Sequence, residues 1–124
     1  YDIIGIGPNI PEDRKGLEET TKQIKQLITR ENQRNIPTSR IFLAGFSQGG
    51  AVALYMALRH PERCAGVIAL STYLPFAKEL KDELHPANFH TPIFMAHGHM
   101  DFVVPKIVAD YSRTYLQHAG INPE

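Results

Sequence analysis

Two kinds of apolar pattern alternate along the chain. Some segments return an apolar residue every three or four positions; others are short and apolar throughout. The first kind predicts an amphipathic helix over residues 14–34, with Leu17, Ile24, Leu27 and Ile28 on one face and Thr20 and Thr21 filling the gap. Glu18, Glu19, Lys22, Lys25 and Arg30 then form its solvated face. The acidic end of the loop at residues 9–13 suits a helix start, and Asn35-Ile36-Pro37-Thr38-Ser39 stops the helix. The second kind appears at residues 40–46, 65–70 and 91–96. These runs have almost no polar alternation and predict strands buried on both faces, as in a parallel sheet covered by helices.

Between and after those strands the helical pattern returns. Residues 48–60 read as a helix whose small residues, Gly49, Gly50, Ala51, Ala53 and Ala57, permit close approach to the sheet; Pro61 ends it. Residues 78–88 are polar and irregular, with a short helical turn. Residues 105–118 read as a last helix with Val104, Val108, Tyr111 and Tyr115 inward, Pro105 near its first turn and Gly120 as its stop. The first residues, Tyr1 to Pro8, open in a strand-like run broken by Gly and Pro. Alternating strands and helices of this kind predict an open α/β sheet with right-handed crossovers. Function in such sheets gathers at the C-terminal strand ends, where Ser47, Tyr73 and Asp101 all fall.

Composition narrows the classes. At 124 residues and 43% hydrophobic content, the chain fits a single globular domain. Thirteen basic residues balance thirteen acidic ones, which gives no reason to expect nucleic acid or an anionic membrane surface as partner. No apolar run is long enough for an integral membrane segment, and no leader pattern opens the chain. The lone Cys64 reads as a small buried side chain in a reducing, cytoplasmic setting.

The chemistry centres on Gly45-Phe46-Ser47-Gln48-Gly49-Gly50. A G-x-S-x-G turn between a buried strand and a helix is the setting of a serine nucleophile. Flanking glycines are expected where a Cβ would collide with neighbouring backbone. Ser47 Oγ would then stand over the sheet edge, and the Gln48 N–H would supply one oxyanion donor. The plainer alternative makes Ser47 a helix cap. Asp101 follows a buried strand at the same edge, after the serine in chain order, as an acid in the order Ser…Asp…His must; its plainer alternative is a loop aspartate capping the next helix. The base is harder to place. His118 and His60 end helices at the opposite edge, His90 precedes a strand there, and His85 is in an unplaced loop. His97 and His99 lie at the right edge but before Asp101, where packing and hydrogen-bonding roles suit them better.

Together with Ser71-Thr72-Tyr73-Leu74-Pro75, Ile36-Pro37-Thr38-Ser39-Arg40-Ile41 and His97-Gly98-His99-Met100-Asp101-Phe102-Val103-Val104-Pro105, these blocks resemble the acyl-protein thioesterase, lysophospholipase and small carboxylesterase family. The Ser-Thr-Tyr form looks most like the bacterial carboxylesterase branch. The resemblance implies an α/β-hydrolase fold, a central parallel sheet with helices on both faces. It makes residues 1–124 a single partial domain, incomplete at both ends. The family's first strands with their oxyanion loop, and its last strand with the Gly-His base, have no counterpart here. By the same resemblance Ser47 is the nucleophile, Asp101 the acid and Gln48 an oxyanion donor, while Tyr73, Leu74, Pro75 and Phe76 border the substrate. It further implies hydrolysis of carboxylic esters or thioesters of apolar acyl groups, small-molecule or lipid, with no metal or cofactor, and it allows a homodimer. A non-catalytic acyl-binding domain and a peptidase of the same fold are the alternatives.

Overall fold

The computed structural model describes residues 12–101 and 103–124. The strand-like stretch at Tyr1–Pro8 lies outside them. The first element, α1 (Arg14–Gln33), opens where the Asp13 carboxylate accepts the Gly16 N–H at 2.9 Å. That bond satisfies one of the four donors a helix start leaves free. Leu17, Thr21 and Ile28 form its buried stripe. Leu27 departs from the expected face and is exposed, because it sits a quarter-turn off the line through Leu17 and Ile28.

Three parallel strands follow in the order β1 (Phe42–Phe46), β2 (Gly66–Leu70), β3 (Ile93–Ala96). Their register pairs Phe46 with Leu70 and Leu70 with Ala96. The C-terminal ends of all three strands therefore finish level. Between β1 and β2 runs α2 (Gln48–Arg59), buried along its length from Gly50 to Leu58. Its Leu54, Leu58 and Met56 are at most 2% exposed, and each such side chain contributes about 1.5–3 kcal/mol by leaving water. Leu43, Val67, Ala69 and Ile93 complete the main core from the inner face of the sheet.

The link from β2 to β3 carries the expected short helical turn, α3 (Leu80–Glu83), with a 3-10 turn on either side of it at Ala77–Glu79 and Pro86–Asn88. Asn88 gives this link its fixed course. Its side-chain oxygen takes the Cys64 N–H (2.8 Å) and the Thr91 hydroxyl (2.7 Å), and its amide donates to the His60 and Glu62 carbonyls (3.0 and 2.8 Å). A single amide thus ties the turn after α2 to the approach to β3. The last helix, α4 (Lys106–His118), ends at Gly120 with φ +87°. The Ile121 N–H reaches the Leu116 carbonyl (2.9 Å) and the Gly120 N–H the Gln117 carbonyl (3.0 Å), the paired bonds of a glycine-stopped helix. The buried stripe of α4 is Val108, Ala109, Ser112 and Leu116. Tyr111 and Tyr115, expected inward, are half-buried and face each other with ring centroids 4.8 Å apart. Glu124 then exchanges two backbone bonds with β3, to Ile93 and from Met95 (2.8 and 2.7 Å).

The sheet departs from the expected burial in one respect. On the face away from α2, Phe42, Phe46 and Phe94 are 62%, 69% and 49% exposed. The strands are apolar on both sides, but the described helices that meet the sheet cover one side.

Candidate active site

The turn between β1 and α2 is built from close backbone approach. A Cβ on Gly45 would lie 2.2–2.4 Å from the carbonyl group of Gly49 and the nitrogen of Gly50, and one on Gly50 would lie 2.7 Å from the Thr72 methyl. Gly49, the second glycine of the motif, has open space where a Cβ would go. The glycines the turn requires are therefore Gly45 and Gly50; the expectation of a collision fails at Gly49. Between them Ser47 adopts φ 55°, ψ −119°, a conformation that costs a non-glycine residue of order 1–3 kcal/mol. What holds it there is bonding on both sides of the residue. The Ser47 N–H donates to the Leu70 carbonyl at the end of β2 (2.8 Å), and the Ser47 carbonyl accepts the Thr72 hydroxyl and the Ala51 N–H. The Ser47 side chain makes no capping bond to α2, so the helix-cap alternative has no support.

Asp101 sits beyond the end of β3 with its side chain 18% exposed. Its Oδ1 accepts the N–H groups of Val103 and Val104, both at 2.9 Å. The Val104 bond, then the Val103 bond, the His97 ring and the Ser71 hydroxyl hold its carboxyl below the usual carboxylate range against the opposing push of burial. Oδ2 lies 3.8 Å from His97 Nε2. That ring is itself committed: Nε2 meets the Val104 carbonyl, which can only accept, so the proton is assigned to Nε2. Its Nδ1 is buried with no hydrogen-bond partner. His97 thus secures the acid loop, in keeping with the hydrogen-bonding role expected for it. His99 is exposed.

Of the four residues expected to border substrate, three are buried and Phe76 is half-buried. Tyr73 is 7% exposed, Leu74 4%, and Pro75 is fully buried. Tyr73 packs with Ala51, Val104 and Val108, and the Leu74 N–H donates to the buried Ser112 hydroxyl at 2.8 Å. In this chain these three brace the loop after β2 from inside. Phe76, at φ 50°, is half-buried beneath the Arg14 guanidinium, 4.2 Å from its ring centre, and its N–H is held by the Glu12 carboxylate. Among the described residues, the exposed large apolar side chains that flank Asp101 in the sequence are Met100, Val103 and Ile107, each about three-quarters exposed. Among the described residues no cluster of His, Cys, Asp and Glu could hold a metal ion, and no helix is long and apolar enough to cross a membrane.

A serine in a strained strand–helix turn, with an aspartate held ionised in the loop after the second strand over, is an arrangement that an α/β-hydrolase nucleophile and acid would need. The family described as phospholipase/carboxylesterase matches residues 1–124. This chain belongs to that family. Acyl-protein thioesterase 1 of Schizosaccharomyces pombe is 34% identical over 94% of the chain and 52% of its own length. The protein of that name from Mycosarcoma maydis is 42% identical over 84% of the chain and 47% of its own. Among solved structures, SOBER1 of Arabidopsis thaliana superposes with a TM-score of 0.88 at 27% identity, over 96% of this chain and 57% of that one. The fold is that of the α/β-hydrolases, and the chain spans about half the length of the curated relatives it matches.

Thr72 is the residue in this family member that sequence reasoning passed over. In the sequence it is one letter of the Ser-Thr-Tyr-Leu-Pro block and carries no signal of its own. The signal that could have found it is the parallel register. Once Phe46 pairs with Leu70, Ser71 falls opposite Ser47 and Thr72 comes one place later, within reach of the Ser47 carbonyl.

Proposed function

We propose that the complete protein is a serine hydrolase that cleaves carboxylic esters or thioesters of apolar acyl groups. The observation that carries this reading is the Ser47 backbone at φ 55°, ψ −119°, held at the N-terminus of α2. Ser47 Oγ attacks the acyl carbonyl carbon and forms a tetrahedral intermediate. The Gln48 N–H and the positive end of α2 favour the negative charge that develops on oxygen. Collapse expels the alcohol or thiol and leaves an acyl-enzyme, which water then hydrolyses. Asp101 is assigned as the acid that orients the base, because its Oδ1 is anchored by Val103 and Val104 while its carboxyl stays ionised.

We assign the base to a histidine outside these 124 residues. His97 is the histidine nearest Asp101 in the described structure, but its Nε2 proton is given to the Val104 carbonyl and its Nδ1 is buried. The names of the relatives, acyl-protein thioesterase and carboxylesterase, support an acyl ester or thioester as substrate. The exposed Met100, Val103 and Ile107 offer apolar surface to such a substrate, in addition to the expected border of Tyr73, Leu74, Pro75 and Phe76. A cytoplasmic setting fits the buried, unpaired Cys64. The test is labelling of the complete protein with a fluorophosphonate. Wild type should be modified at Ser47 and Ser47→Ala should resist; labelling that survives the substitution overturns the assignment.

A further inference from the structure

A peptide unit is planar and trans, so its carbonyl and its N–H point in opposite directions. The Ser47 carbonyl and the Gln48 N–H belong to one such unit. Whatever fixes the carbonyl therefore fixes the direction of the N–H. Two groups fix it: the Ala51 N–H at 3.1 Å, part of the first turn of α2, and the Thr72 hydroxyl, part of the loop after β2. The helix bond is one any helix start would make. The Thr72 bond comes from another strand, and Thr72 itself has little freedom. It is 1% exposed, its methyl lies where a Cβ on Gly50 would intrude, and its neighbour Ser71 donates its backbone N–H to the Ala96 carbonyl of β3 (2.8 Å).

We propose that Thr72 is a positioning residue that aims the Gln48 N–H at the oxyanion by gripping the carbonyl of the same peptide unit. The proposal rests on the reading of Ser47 as nucleophile and Gln48 as oxyanion donor given above. It assigns to the end of β2 a direct part in the reaction geometry. The Leu70 carbonyl holds the N–H of the nucleophile, the Thr72 hydroxyl holds its carbonyl, and Ser71 between them bonds to the strand whose loop carries Asp101. Nucleophile, donor and acid are thus referred to one three-residue segment.

The experiment compares Thr72→Val and Thr72→Ser in the complete protein. Valine keeps the shape and removes the hydroxyl; serine keeps the hydroxyl and removes the methyl. An activated short-chain acyl ester gives kcat and KM. A trifluoromethyl ketone carrying the same acyl chain, which becomes a tetrahedral oxyanion on Ser47, gives an inhibition constant. Loss of an oxyanion donor lowers kcat by about 10²–10³-fold, and misdirecting one should cost less, about 10–100-fold. Thr72→Val should therefore lose about 10–100-fold in kcat with KM little changed, and weaken the ketone by a similar factor. Thr72→Ser should recover most of both. The proposal is overturned by a Thr72→Val variant with wild-type kcat and ketone affinity, or by one in which kcat falls while ketone binding does not. Equal impairment of Thr72→Ser also overturns it, and that arm decides the matter should Thr72→Val fail to fold. Fluorophosphonate labelling of wild type separates the two levels: absence of labelling at Ser47 refutes the nucleophile reading and the proposal with it, whereas normal labelling with unaltered variants refutes the role of Thr72 alone.

Discussion

The two glycines of the G-x-S-x-G motif should respond to alanine in opposite ways. At Gly45 the new Cβ would stand 2.2 Å from the Gly49 carbonyl carbon, 2.3 Å from its oxygen and 2.4 Å from the Gly50 nitrogen. Ordinary contacts begin about 1 Å further out, and all three neighbours are backbone, so no rotamer change can relieve them. Overpacking a rigid site costs about 1–3 kcal/mol, and this position belongs at or beyond the upper end. For a complete protein about twice this length each kcal/mol moves Tm by about 2–4 °C, so in the complete protein Gly45→Ala should melt about 6 °C or more below wild type. The relief open to the chain is to push residues 49 and 50 away from β1, which disturbs the Ser47 peptide. Fluorophosphonate labelling should therefore fall further than the lost stability explains. At Gly49 nothing lies within 4 Å of the new Cβ, and the residue is exposed in the first turn of α2. Alanine is a better helix former than glycine by up to about 1 kcal/mol, so Gly49→Ala should melt level with wild type or slightly above it. The assay is thermal or urea unfolding of both variants, with labelling measured below the transition. Equal melting of the two, or a Gly45→Ala variant indistinguishable from wild type, refutes the argument from backbone contact.

Asp101→Asn keeps the oxygen that Val103 and Val104 bond, so folding should be nearly intact while kcat of the complete protein falls by up to about 10⁴-fold; near-normal turnover would count against Asp101 as acid. Asn88→Ala removes the partners of the Cys64 N–H, the Thr91 hydroxyl and two carbonyls, and urea unfolding should show a loss of about 3 kcal/mol or more, with a loss below about 1 kcal/mol refuting the amide as a tie. Glu83→Gln weakens the bonds from Arg14 and the mostly buried Arg59 and should cost about 2–3 kcal/mol at low salt, an expectation a double-mutant cycle with Arg59 would check. His60 is 7% exposed at its side chain, neither ring nitrogen makes a hydrogen bond, Nε2 lies 3.7 Å from the Glu62 carboxylate, and burial lowers its pKa despite the raising influence of Glu62. Because the folded pKa lies below the unfolded one, the unfolded chain binds the proton first. Stability should thus be unaffected by His60 above its ordinary value and fall as pH drops below it, by at most about 1.4 kcal/mol per unit; a His60→Leu variant with the same pH slope as wild type would refute this.

Most of the fold could be read because its signals are local. The three strands announce themselves as unbroken apolar runs, and α1 and α4 by their periodicity, caps and stops. Asp13, Pro37, Pro61 and Gly120 each act where a single residue type decides the backbone. The errors have one physical source, which is that periodicity says a face is apolar without saying what covers it. Leu27 and the pair Tyr111–Tyr115 lie at the margins of their apolar stripes and are left partly open. Phe42, Phe46 and Phe94 were expected to be buried because their strands are apolar on both sides. That composition states a requirement for a second cover, and the described helices that meet the sheet supply one.

The site divides along the same line. Ser47 and Asp101 could be proposed from the sequence because one directly follows β1 and the other lies in the loop after β3, and a strand end is a local signal. The direction of the Ser47 peptide was not legible, because it is decided by residues from another strand, 23 and 25 positions later in the chain. Nor could the sequence separate side chains that touch substrate from side chains that hold the loop. Tyr73, Leu74 and Pro75 have the apolar chemistry of an acyl groove, and that chemistry is equally what a brace needs. What separates the two roles is which way the loop turns after Leu70. Ser71 at φ 48° and the bonds to Ser47, Ala96 and Ser112 turn this loop inward, so Tyr73 packs against Ala51 and Val108 while Leu74 joins the main core. Among the described residues the exposed apolar side chains flanking Asp101 in the sequence are Met100, Val103 and Ile107, and a motif centred on serine gives no means of telling that they are exposed.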